Sequence, residues 1–199
     1  MSARRAAGAR MLAVFAVALA LNLSTAAPTV MEGDGAELQT VAALGGVAHP
    51  TGYPTWTLGG RLFSLVWPGE PARRTTALSA VAGAAALGVL LRILGLLGAA
   101  PGVALAGVLL VAAIVTFRWS SIYPEVYSLA VLLFLIAIER VIQATRQPTP
   151  GRFLIAAAAL SLSATAHFLF APAAAVLGLV LLLRGARDAG SLARRAAPV

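Results

Sequence analysis

The sequence predicts an all-α, polytopic membrane helix bundle of about six spans, with one long loop that carries a short interfacial helix. Three observations predict it. The 199 residues are 60% hydrophobic and only 11% charged, with a mean hydropathy of +0.90. A soluble domain cannot bury that much apolar surface, so several segments must meet lipid. Apolar runs of about span length recur along the chain, separated by stretches rich in Gly, Pro and Arg. The fifteen basic residues, all arginine, stand singly or in pairs at the ends of those runs. There they read as topology signals rather than as a nucleic-acid patch. No cysteine is present, which excludes a disulfide framework and a thiolate metal site.

The elements follow in chain order. Residues 1–10 form a basic cytoplasmic N-terminus, and the first span is Met11–Ala27. Arg4, Arg5 and Arg10 before an apolar run resemble a secretory signal. The run is longer than a signal core, however, and Pro28 after Ala26 and Ala27 disfavours cleavage. An uncleaved span is the expectation and a cleaved signal the alternative. Asn22-Leu23-Ser24 matches a glycosylation acceptor but lies inside this span. The loop 28–74 follows, with a helix over Gly35–Leu44 and a second over Thr55–Trp67. The second is too short to span and mostly apolar through Leu58, Leu62, Phe63, Leu65 and Val66, so it reads as interfacial. Gly59-Gly60 argues against full regularity there. The second span runs from about Thr75 to Gly98, interrupted only by Arg92. The third is Val103–Phe117 and the fourth Val126–Ile142. Residues Phe153–Leu183 hold two more segments, split near His167 and Pro172. They are either two tight spans or one span and a re-entrant piece. Residues 11–183 thus make one integral membrane module, and 184–199 a basic cytoplasmic tail.

Orientation can be read from arginine placement. With a cytoplasmic N-terminus, Arg4, Arg5, Arg10, Arg140, Arg146, Arg152, Arg184, Arg187, Arg194 and Arg195 fall inside, and Arg92 lies toward the inside. Only Arg61, Arg73, Arg74 and Arg118 fall outside, as the positive-inside rule requires. The same topology puts every Trp and Tyr on the outer side. It also puts His49, His167 and the acids Glu32, Asp34, Glu37, Glu70 and Glu125 there. The expected location is a bacterial inner (plasma) membrane, multi-pass, with the active face outward.

The chemistry-bearing residues collect on that face. Three of the seven acids lie within Glu32–Glu37. Asp34-Gly35-Ala36-Glu37 has the spacing of a capping box. It equally places two carboxylates one turn apart in reach of water, where Asp34 can serve as a general base. His49-Pro50-Thr51-Gly52-Tyr53-Pro54 is an elbow. Proline biases its predecessor toward extended backbone, so the elbow either aims the next helix or presents His49 and Tyr53 to a substrate near Asp34. A divalent-metal site of Asp34, Glu37 and His49 is a further alternative, though no ligand spacing here is diagnostic of one. Arg61, Arg73, Arg74 and Arg118 are either interfacial anchors or bidentate donors to a lipid phosphate. Glu125, with Tyr127 just beyond it, either compensates a helix N-terminus or partners the first loop's charges. His167 is an ionisable residue at uncertain membrane depth. It is either a functional residue or a histidine bonded to a neighbouring helix.

Taken in order, these pieces resemble the protein O-mannosyltransferase-like membrane family, also described as domain of unknown function family 2723 and similar to the GT-C glycosyltransferases. The residues that carry the resemblance are Asp34 and Glu37, then His49, Pro50, Gly52, Tyr53 and Pro54. Gly60-Arg61-Leu62-Phe63, Glu125-Val126-Tyr127 and His167 follow. The likeness covers about Met11 to Leu183. Around Asp34 the chain departs from the family's pattern: Gly33 replaces an aromatic residue, and Gly35-Ala36 replaces Ser-Gly. The resemblance implies a GT-C-like N-terminal module using a polyprenyl-phosphate-linked sugar as donor and a protein or glycan hydroxyl as acceptor, with no cofactor. Asp34 would be the base, with Glu37 beside it. His49, Tyr53, Arg61, Arg118, Glu125, Tyr127 and His167 would contact substrate, the arginines on the leaving phosphate.

Two other functions fit the residues alone. One is a non-catalytic module packing against other membrane subunits through Ala- and Gly-rich faces. The other is a small transporter, which the absence of a mid-span acid in this topology counts against. The expected partners are membrane lipid, the lipid-linked donor and the acceptor. Nucleic acid is not among them.

Overall fold

The computed structural model describes the backbone of residues 3–196 and the side chains of residues 5–185. The side chains of Arg4, Arg187, Arg194 and Arg195, used above to orient the chain, lie outside the described residues. So do those of the rest of the tail beyond residue 185, whose backbone through Ala196 continues the last helix. Everything described is helix, turn or loop, with no strand among the described residues.

The described residues form nine α-helices: α1 (Ala3–Thr25), α2 (Asp34–Leu44), α3 (Pro54–Val66), α4 (Pro71–Leu96), α5 (Pro101–Ala113), α6 (Val115–Ile122), α7 (Tyr127–Arg146), α8 (Pro150–Ala166) and α9 (Ala171–Ala196). A 3-10 turn over Phe168–Phe170 joins the last two. Proline at the first helical position starts α3, α4, α5 and α8, where its missing N–H costs nothing.

Helix α4 is the centre of the bundle, touching every helix from α1 to α7. It can do so because its buried face is small: Ala77, Ala80, Gly83, Ala84 and Gly88 let backbones approach closely. A Cβ at Gly83 would lie 2.7 Å from Ser121 Cβ and collide with Ser121 Oγ. Helices α7, α8 and α9 form a second group around Ala137, Ala144, Ala156, Leu160 and Leu181. Helices α2 and α3 cap one end of the bundle against α4, around Leu38, Ala42, Tyr53, Trp56, Leu78 and Val126.

Among the described residues four segments are long and apolar enough to cross a membrane: Arg5–Thr25, Pro71–Leu96, Tyr127–Arg146 and Phe168–Gly185. By length and composition the count is four or five, against the six expected. The single third span over Val103–Phe117 is in fact α5 and α6, bent by 70° at Ile114, and it adds a fifth only if the pair crosses as one. The break falls on Ile114-Val115-Thr116. Three successive β-branched residues fit a helix poorly, and Ile114 is extended. Ser121 then docks against Gly83. The Phe153–Leu183 region holds two separate helices, of which α8, with 17 residues, falls short of the others.

Helix α3 forms within a residue of the expected bounds. Trp56, Gly60 and Ser64 recur at helical spacing and are buried, while Leu58, Leu62, Leu65 and Val66 are exposed. The helix is continuous through Gly59-Gly60, because a Cβ at Gly60 would already touch Ala42 and the Trp56 ring, each at 3.6 Å. The glycine serves packing here rather than flexibility.

Candidate functional site

The capped end of the bundle gathers the predicted polar residues. Helix α2 begins at Asp34 itself. Its cap is Gly33, at φ 60° and ψ −137°, with no side-chain cap bond. That backbone is open almost solely to glycine. The capping-box alternative is therefore corrected: Asp34 is the first helical residue, and Glu37 does not return to its backbone. A Cβ at Gly35 would lie 3.2 Å from Pro124 Cγ and 2.9 Å from Met31 Cβ. Glycine there lets the start of α2 press against the link between α6 and α7.

Glu37 is used elsewhere. One carboxylate oxygen accepts from the His49 backbone N–H at 2.6 Å, and the other bonds His49 Nδ1 at 2.7 Å. This two-point clamp fixes both the main chain and the ring of His49. The Tyr53 hydroxyl lies 3.0 Å from His49 Nε2, and an Asp34 carboxylate oxygen lies 4.0 Å from the same nitrogen. The clamp holds the Glu37 carboxyl below its usual range, chiefly through the hydrogen bond from the His49 ring. The same bond raises His49.

The elbow holds Tyr53 in place. Gly52 N–H donates to His49 O at 2.7 Å, and Thr57 Oγ1 donates to Gly52 O at 2.8 Å. Extended backbone was expected before Pro54, but Tyr53 is left-handed at φ 43° and ψ 60°. A bulky residue there is an outlier costing ~1–3 kcal/mol. The surroundings that hold it are plain. Its ring is buried, sits edge-on to His49 and stacks on His167, with both centroid separations 5.3 Å. Burial raises the Tyr53 hydroxyl above its usual value.

His167 closes the α8 helix and is itself buried. Leu169 N–H donates to its Nδ1 at 3.1 Å, which leaves the proton of the neutral ring on Nε2. Tyr127, at the start of α7, lies 4.9 Å from it, centroid to centroid. Glu125 is held through its backbone, which bonds Ser79 Oγ at 3.2 Å on both the N–H and C=O sides. Partial burial pushes the Glu125 carboxyl up, and the nearby Asp34 charge adds to this. Asp34 itself is 74% exposed, and its carboxylate accepts no hydrogen bond among the described residues.

The fold thus brings together Asp34, Glu37, His49, Tyr53, Glu125, Tyr127 and His167, drawn from α2, the elbow, α7 and the α8 terminus. One oxygen or nitrogen from each of Asp34, Glu37 and His49 falls within 4.8 Å of the others. His49 Nδ1 is already committed to Glu37. Two predicted arginines stand apart from the cluster. Arg61 Nη1 donates to Ala43 O at the end of α2. Arg118 Nη2 donates to Thr25 Oγ1 at 3.0 Å, at the end of α1. Arg74 likewise serves the carbonyls of Ser64 and Gly69.

Two functional features were missed in the sequence. Ser79 is a lone polar residue in an apolar run, and nothing local marks it as the residue that fixes Glu125. Glu139 is 2% exposed on α7 and lies 3.0 Å from Arg92 Nη2 on α4. Its signal was legible: Arg92 is the one charge inside the second apolar run, and an unpaired charge in a span requires a partner.

A family model described as Protein O-mannosyl-transferase TMEM260 N-terminal domain matches residues 34–189. The chain belongs to this family. The match opens at Asp34 and extends into α9, so it includes the whole acid–histidine–tyrosine cluster. No solved structure matches the chain.

Proposed function

We propose that this O-mannosyltransferase-like membrane protein transfers a sugar from a polyprenyl-phosphate carrier to a protein or glycan hydroxyl, at the outer face of a bacterial inner membrane, with Asp34 as general base. The acceptor oxygen attacks the anomeric carbon, and its proton passes to the Asp34 carboxylate. The bond from that carbon to the carrier's phosphate oxygen breaks, and the phosphate leaves with the electron pair. One observation carries the reading. Asp34 is a water-facing carboxylate without a hydrogen-bond partner among the described residues, set beside a histidine that its neighbour Glu37 locks in place. A base must be free to take a proton; the Asp34 carboxylate is free, and the residue it stands beside, His49, is fixed.

The surrounding groups take complementary roles. Glu37 orients His49, and His49 with Tyr53 forms the wall that faces the acceptor. Glu125, its carboxyl pushed up chiefly by partial burial and further by the nearby Asp34 charge, completes the acidic side of the site. The GT-C likeness of the first loop agrees with this assignment. The test is a transfer assay with a lipid-linked sugar in reconstituted membranes. Asp34→Asn is expected to lower transfer by roughly 10²–10⁴-fold, the usual worth of a general base, while insertion and folding persist. Transfer by that variant at the unsubstituted rate would remove Asp34 from the mechanism.

A further inference from the structure

Gln39 lies on α2 among buried apolar neighbours, Leu38, Val41 and Ala42, and is itself 4% exposed. A buried amide is costly unless it is bonded, and this one is bonded three times. Its Oε1 accepts from the Met31 N–H at 2.9 Å. Its Nε2 donates to Thr29 O at 3.1 Å and to Ala72 O at 3.2 Å. Both N–H donors and the oxygen are thus engaged, and every partner is a backbone group. Thr29 and Met31 belong to the link between α1 and α2, and Ala72 to the first turn of α4. The link that Gln39 holds is also the one that backs Asp34. A Cβ at Gly35 would come within 2.9 Å of Met31 Cβ, so the first turn of α2 rests on Met31.

Glu125 is tied to the same helix. Ser79, 1% exposed on α4, bonds both its N–H and its C=O. Ala72 and Ser79 are seven residues apart on one continuous helix. Two turns separate them, so they share a face and stand about 10 Å apart along the axis. The two docked segments also meet each other, where Pro124 presses on Gly35. Three contacts therefore close a triangle behind the acidic side of the site: Gln39 to α4, Ser79 to the Glu125 backbone, and Gly35 to Pro124. The Asp34 carboxylate accepts no hydrogen bond among the described residues, so its place depends on how this backbone is held.

We propose that Gln39 and Ser79 are positioning residues for transfer, docking the start of α2 and the Glu125 link onto one face of α4 and so setting the separation of Asp34 from Glu125. The inference rests on Asp34 as the base. Both residues are buried behind the site and act through the acids they place. A misplacement of about 1 Å can cost ~10²-fold in rate, so a spacer made of buried backbone contacts has a direct catalytic consequence.

The experiment is a transfer assay with a polyprenyl-phosphate sugar and the full chain in reconstituted membranes, run as two double-mutant cycles. Gln39→Met keeps the length of the side chain and loses all three bonds. Ser79→Ala loses both of its own. Each should lower kcat roughly 10- to 100-fold, with the KM for donor changed less than about twofold. In an Asp34→Asn background, Gln39→Met should lower the residual rate by less than about twofold, because the base it places is gone. Ser79→Ala should likewise add little to Glu125→Gln. A merely structural role reduces the amount of folded protein, and its loss would appear in full in every background. That additivity would overturn the proposal, as would a raised KM at unchanged kcat. Should Gln39→Met fail to insert, Ser79→Ala, which removes a single hydroxyl, carries the test.

Position is read apart from activity. The chain has no cysteine, so nitroxide labels at Glu32→Cys and Leu97→Cys, both exposed, report the start of α2 against the far end of α4. Gln39→Met should broaden their distance distribution, and an unchanged distribution would overturn the proposal. Transfer by Asp34→Asn at the unsubstituted rate defeats the base, whatever the labels show. Transfer lost in Asp34→Asn but kept in Gln39→Met and Ser79→Ala defeats the positioning alone.

Discussion

Removing Arg92 should destabilise the bundle far more than neutralising its partner. Glu139 is 2% exposed, whereas the Arg92 side chain is 47% exposed. Arg92→Ala leaves the carboxylate buried with only Gln143 Nε2 as a side-chain donor among the described residues. Breaking a buried pair from that side costs about 3–5 kcal/mol. Glu139→Gln strands the half-exposed arginine instead. Its long stem can carry the guanidinium to water or headgroups, so the loss should approach that of a surface pair, about 0–1 kcal/mol. The difference between the two variants should therefore be at least ~2 kcal/mol. Thermal unfolding in one detergent, followed by tryptophan fluorescence, reads it directly. At ~2–4 °C per kcal/mol for a chain of this size, Arg92→Ala should lower Tm by roughly 6–20 °C. Replacing both residues by leucine should recover most of the loss, since an apolar pair of similar volume is often neutral. Equal losses in the two single variants would refute the reasoning. So would a double leucine variant no better than Arg92→Ala.

Two further predictions concern the site and the contact between α4 and α6. The Glu37–His49 clamp gives a pH signature with a definite sign. His49 is raised, so its contribution is full below about 6.5 and is lost as pH rises through the higher folded value. Glu37 is lowered, so its contribution is full above about 4.3 and is lost as pH falls through the lower folded value. The elbow should thus resist proteolysis best between those two limits. In Glu37→Gln the His49 titration, followed by NMR, should move down toward about 6.5; an unmoved midpoint would remove the clamp. Gly83→Ala should cost about 1–3 kcal/mol by overpacking, because its Cβ meets Ser121 at 2.7 Å. Adding Ser121→Gly should restore most of that in a double-mutant cycle, and simple additivity of the two losses would count against the contact.

The helices were legible because each is written in a continuous apolar run bounded by proline or glycine. The α4 run could be read from Thr75 onward and the α7 run from Val126 to within a turn of its end. Helix α3 was legible from Leu58, Leu62, Phe63, Leu65 and Val66, whereas the packing use of Gly60 against Ala42 and Trp56 was not. What could not be read were facts set by distant partners. The docking of Ser121 on Gly83 joins residues of two different helices. The left-handed Tyr53 depends on His167, more than a hundred residues away. The span count rested on hydropathy, which does not distinguish one bent pair from one straight helix. Arg61 and Arg118 looked alike as outer arginines. Only the fold shows that one bonds the end of α2 and the other the end of α1.

The site itself was half legible, for a reason that bears on mechanism. Asp34 and Glu37 are one helical turn apart, and spacing alone treats them as equivalent. The fold makes them different through Gly33 and His49. Glycine at a positive φ takes over the start of α2, so Asp34 is relieved of the cap and stands in the first turn. There the helix dipole favours its charge by ~0.3–1 kcal/mol. His49, delivered by the elbow, takes both oxygens of Glu37 and leaves its other nitrogen facing Asp34 at 4.0 Å. Asp34 is free because Glu37 is occupied. A substitution at Glu37 would therefore act on Asp34 as well, by releasing an imidazole that could swing onto the spare carboxylate and block it. On this argument Glu37→Gln should lower transfer through Asp34, and the loss should be partly relieved by His49→Ala in the same chain.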